Sequence, residues 1–121
     1  MKFRGAKEQM TGKMNSSKLS DILSYPESLN WQDAIYLPKD EKKWSLSCDV
    51  IIENPESFEA YDDNDNPIEM SNIGYRYILL CDDLASIIFN LREQTNFFEL
   101  DMVYTAFIYY LENDSFIKLS H

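Results

Sequence analysis

The residues best suited to chemistry lie between positions 48 and 83. Asp62, Asn64 and Asn66 stand where a calcium loop carries its first three ligands, a spacing that turns alternate side-chain oxygens toward one cation. That loop also needs a glycine at its sixth position and a bidentate glutamate at its twelfth. Here those positions hold Pro67 and Ile73. The motif fails at both, which leaves only weak, nonspecific calcium binding open. Asp82 and Asp83 are adjacent carboxylates, and a pair of this kind can do acid–base work. No third group accompanies them, and two acids in the first turn of a helix are explained by the helix dipole. Cys48 and Cys81 both fall on apolar faces. They read as buried free thiols, with a disulfide between neighbouring strands as the alternative.

Other catalytic constellations are missing from the sequence. A serine or cysteine nucleophile needs an imidazole held by a third group, and the one histidine is His121. Two cysteines and one histidine do not make a structural zinc site. The chain has three glycines and no G-x-x-x-x-G-K-S/T run, so no phosphate cradle is expected. We therefore expect a protein that is not an enzyme and carries no metal or cofactor.

The strongest signal is charge. The formal net charge is −10. Residues 1–18 hold five basic groups and one acid, and residues 19–121 hold six basic and twenty acidic groups. From Trp44 to Tyr75 there is no Lys or Arg. A negative field of this extent repels nucleic acid and anionic membranes and attracts basic proteins. Two readings fit the run. It is either a solvated excursion or a docking surface for a basic partner, in which carboxylates steer the encounter and aromatic residues anchor it. The candidate contact residues are Glu53, Glu56, Phe58, Glu59, Tyr61, Asp62, Asp63, Asp65 and Glu69.

The elements that would position this run point to one α+β domain over 16–121, preceded by a polar, basic extension over 1–15. At 121 residues the chain suffices for one core. It lacks a run of eighteen apolar residues and an apolar segment after its basic start, and is expected to be cytoplasmic. Leu19, Ile22 and Leu23 predict a short helix from Ser17 to Leu23, stopped before Pro26. A short strand is expected over Trp31–Leu37. A second is expected over Trp44–Glu53, with Trp44, Leu46, Cys48, Val50 and Ile52 on one face. The two should pair as an antiparallel hairpin. Asn54–Asn72 breaks every period and reads as a loop. Ile73–Cys81 is apolar on alternate positions of both faces, apart from Arg76, and reads as the central strand, buried on both sides. Leu84, Ile87, Ile88 and Leu91 define a helix over Asp83–Gln94, capped by Cys81 or Asp82. Leu100, Val103, Tyr104, Phe107, Ile108 and Leu111 define another over Glu99–Glu112, with Asn96 and Glu99 as a capping box. Phe116–Ile117 should tuck back against the body. The expected architecture is a small, mainly antiparallel sheet of about three main strands with an N-terminal helix and two C-terminal helices.

Several stretches resemble the small acidic immunity proteins of bacterial polymorphic-toxin and contact-dependent growth-inhibition systems. They are Leu19–Leu23, Ala34–Asp40, Trp44–Leu46 and Ala106–Ile117. The resemblance implies a cytoplasmic protein that binds one toxin domain, often a nuclease, and blocks it. The alternative is an acidic mimic of nucleic acid acting on a DNA-binding protein. That reading prefers carboxylates in rows along an elongated face, whereas these cluster in one stretch. An enzyme using paired acids is the third class.

Overall fold

The computed structural model describes residues 15–96 and 99–119. Fourteen residues of the expected 1–15 extension, and His121, lie outside them. Four antiparallel strands form one sheet in the order β1-β3-β2-β4: β1 Asn15–Lys18, β2 Ala34–Pro38, β3 Asp49–Glu53 and β4 Tyr75–Leu80. Helices α1 (Leu19–Ser24), α3 (Cys81–Gln94) and α4 (Leu100–Asn113) supply the main core with the sheet, and the five-residue α2 (Ile68–Asn72) lies between β3 and β4 in sequence. The α+β class and the antiparallel β2–β3 pairing follow expectation.

The sheet's doubly buried strand is β2. Ala34, Ile35, Tyr36 and Leu37 are all fully buried. Ile35 and Leu37 meet the helices, joined by Val50, Ile52 and Leu79. Ala34 and Tyr36 face the other way, joined by Ile51, Phe58 and Met70. The stretch 73–81, expected at the centre, instead supplies the edge strand β4, where only Leu79 is buried. Strict alternation also fails there. Ile35 lies opposite Leu79 and Tyr36 opposite Tyr77, so Ile78 is an extra residue in a bulge. A bulge shifts the side chains beyond it onto the opposite face. Leu79 consequently joins the helix side, while Tyr75 and Leu80 pack on the other.

Two boundaries also differ from expectation. Residues 15–18, read as extension and helix start, form β1 against β3. Four polar residues show no apolar period, but their backbone completes the ladder of β3, and Lys18 reaches Asp49 at 2.7 Å across the pair. Trp44–Cys48 is not strand. Its carbonyls turn instead to the start of α1, where the N–H groups of Leu19 and Ser20 donate to Cys48 and Leu46 at 2.9 and 2.8 Å. These are two of the donors that a helix start leaves unpaired. The apolar face read from the sequence survives, because Trp44, Leu46 and Cys48 pack on the same core as Val50 and Ile52.

The long helices match their predicted stripes best. Leu84, Ile87, Ile88 and Leu91 of α3 are buried, as are Val103 and Phe107 of α4. Neither helix has the expected side-chain cap. α3 follows β4 directly from Leu80, and Glu99 itself stands at the start of α4. The terminal segment does turn back. Gln94 donates to the Ile117 carbonyl at 2.8 Å and accepts from the Leu119 N–H at 2.9 Å, and Phe116 meets the Tyr110 ring. Both cysteines are free, and burial, with Asp33 nearby, pushes the Cys81 thiol up to about 12. Among the described residues, no helix is long and apolar enough to cross a membrane.

Candidate docking surface

The second face of the sheet is covered by residues 54–72, the stretch read as a loop. It is a packed layer made of short pieces. Asn54 starts a single 3-10 turn over Pro55–Ser57 by accepting the Glu56 N–H at 2.9 Å. Phe58 then drops onto the sheet and meets Tyr36 edge-on, with centroids 5.8 Å apart. Tyr61 and Pro67 form an isolated bridge that closes the tip. α2 follows, and its Met70 is fully buried against the same cluster.

The Asp-x-Asn-x-Asn spacing closes this tip on itself. One carboxylate oxygen of Asp62 accepts the N–H groups of Asn64 and Asn66 at 2.9 and 3.0 Å, and the other accepts the Ser71 hydroxyl at 2.7 Å. The Ser71 bond first, and then the backbone N–H groups, hold the Asp62 carboxyl below its usual range. A depressed carboxyl stabilises the fold above its unfolded pKa, and that contribution is lost as pH falls through the folded value. The carboxylate still meets solvent, being only half-buried, so the effect is small. No group of acids, histidines or cysteines among the described residues could hold a metal ion.

Asn66 has the most specific role. Its side-chain amide donates to the Tyr75 carbonyl at 2.9 Å, and its oxygen accepts the Tyr77 N–H at 2.8 Å. A further bond joins the amide to the Ser71 hydroxyl at 2.8 Å. The side chain thus stands in for a neighbouring strand on the free edge of β4, where unpaired backbone groups are open to foreign pairing. Asn66 is the one buried polar residue of the described chain. Asn66→Ala should cost about 1–3 kcal/mol, because partly buried backbone groups of β4 lose their partners. Urea denaturation measures this. Faster amide exchange at Tyr77 in the variant would trace the loss to that edge.

The candidate contact residues divide into two sets. Phe58 is buried in the second cluster and Asp62 is engaged at both oxygens. Glu53 is half-buried, and its carboxylate accepts the Asn54 N–H. Glu56, Glu59, Asp63, Asp65 and Glu69 are exposed, and among the described residues none of them pairs with a Lys or Arg. Tyr61 is 45 % exposed, with its hydroxyl donated to the Pro55 carbonyl. Between this layer and the sheet lies a cleft of about 640 Å³, lined by Tyr36, Tyr61 and Tyr77 with Lys39, Asp65 and Arg76 among others. The sequence did not single out Tyr36, Lys39, Arg76 or Tyr77 for a site. They come from β2, β4 and the turn that follows β2, and only the strand register brings them to the acidic tip.

The structure thus defines a small antiparallel sheet backed by helices on one face and by an acidic layer on the other. The chain belongs to the family described as "Domain of unknown function (DUF7716)", whose model matches residues 16–119. No curated protein and no solved structure matches it.

Proposed function

We propose that the protein is a non-enzymatic inhibitor, an immunity protein that docks a cognate basic toxin domain in the cytoplasm on its acidic layer. The observation that carries the reading is the set of five exposed carboxylates, at Glu56, Glu59, Asp63, Asp65 and Glu69, which make no ion pairs among the described residues and stand on a layer pinned by Phe58 and Met70. Unpaired charges repel one another and add nothing to stability in isolation. Held in fixed positions, they form a complementary field for a basic surface and raise the rate of encounter. The exposed Tyr61 beside them offers a flat, amphipathic contact of the kind enriched at binding hot spots. The resemblance to immunity proteins supplies the class of partner, and a nuclease domain fits the required positive charge. Co-expression tests the reading. Where a neighbouring reading frame encodes a protein with a toxic C-terminal domain, cells making that domain should survive when they also make this protein. Equal killing with and without it would refute the assignment.

A further inference from the structure

The cleft beneath the acidic tip has a chemistry of its own. Tyr36 lines it without any exposed surface, and its phenolic oxygen has no hydrogen-bond partner. A buried hydroxyl in this state has given up its bonds to water without replacing them, and such a group in a folded protein requires an explanation. Tyr77 meets the Tyr36 ring edge-on at 6.0 Å, and Tyr61 completes a wall of three phenols. The faces of these rings carry the negative part of the ring quadrupole and attract cations.

The cleft is lined by two cations, Lys39 and Arg76, and two carboxylates, Asp62 and Asp65, and three of the four are engaged elsewhere. Arg76 is turned toward Glu41 at 3.5 Å and lies over the Trp44 ring at 5.2 Å. Lys39 lies close enough to Asp62 to favour its ionised form. Asp65 is left as the lining carboxylate that makes neither an ion pair nor a side-chain hydrogen bond among the described residues. Its backbone is held in the left-handed region at φ 63°, with its N–H donated to the Asp62 carbonyl at 3.0 Å.

We propose that this cleft is an arginine site, which receives the guanidinium of one arginine side chain of the basic partner. The inference rests on the docking role of the acidic layer and names its anchor. A guanidinium is flat and weakly hydrated and carries five N–H donors. It stacks on a tyrosine face, places its charge toward Asp65, and gives one N–H to the Tyr36 oxygen. A lysine ammonium brings the charge without the planar fork. Tyr61 is the gate, being exposed and held at its hydroxyl by the Pro55 carbonyl alone.

Titrating the full-length protein, labelled at its tyrosine rings, with N-acetylarginine amide tests this by NMR. The ring signals of Tyr36, Tyr61 and Tyr77 should shift together. N-acetylcitrulline amide, which keeps the shape and loses the charge, should bind at least about tenfold more weakly. Tyr36→Phe should weaken arginine binding severalfold while the melting temperature holds or rises, because the unpartnered hydroxyl is gone. Equal binding of the citrulline compound, absence of ring shifts, or unchanged affinity in Tyr36→Phe would each overturn the site. The probe needs no toxin, so these failures are distinct from a failure of protection in cells.

Discussion

Met70→Ala will destabilise the protein by about 2–5 kcal/mol, the range for truncating a fully buried methionine. The size of this effect separates two descriptions of residues 54–72. A solvated loop would lose almost nothing, since exposed substitutions stay within about half a kilocalorie. A packed layer loses both the apolar transfer energy and the contacts around the cavity. Met70 has no exposed surface and packs with Ala34, Tyr36, Ile51 and Phe58. These residues form the smaller of two clusters, so little neighbouring structure is free to collapse into the space. Urea unfolding of the variant gives the number. A loss under about half a kilocalorie would mean the layer does not pack as described.

The two long helices were legible in the sequence because α3 and α4 each run for fourteen residues, long enough for the 3.6-residue period to repeat, whereas the five-residue α2 lay hidden in the stretch read as a loop. The sheet was harder to read. β2 is five residues without a charge, too short and too uniformly apolar for any period to show. β4 looked central because tyrosines count as apolar in a pattern, but Tyr77 lies 40 % exposed at the edge. β1 carries no apolar residue and is defined only by its partner. The acidic residues of the site could be read one by one, and their exposure mostly followed. Their division into structural and free groups could not. Asn66 reaches Tyr77 across eleven positions, and no local spacing announces such a bond. Phe58 and Met70 likewise acquire a role only once Tyr36 and Ile51 are known to emerge on the second face.

If the proposed toxin domain is the partner, Glu59→Gln, Asp63→Asn and Glu69→Gln together will slow association with it by about tenfold at low salt, with dissociation little changed. The three side chains are exposed, and the replacements keep their shapes while removing three negative charges. Charges at an interface act mainly on encounter, where steering raises rates by about a hundredfold or more over a neutral pair. Asp62 is left intact because its bonds to Asn64, Asn66 and Ser71 hold the tip together. Folding stability should stay within about half a kilocalorie of the unaltered protein. A stable variant with unchanged association would remove these three charges from the docking surface.

The salt dependence of the association rate tests the central claim most directly. Stopped-flow mixing of the unaltered protein with the proposed toxin partner should show association falling steeply from low to physiological ionic strength, where exposed charges are screened beyond about 8 Å. The charge-removed variant should show a shallower fall, with the two rates converging at high salt. An association rate that is the same at both salt concentrations would contradict the account, because the carboxylates of residues 56–69 would then play no part in bringing the partner in.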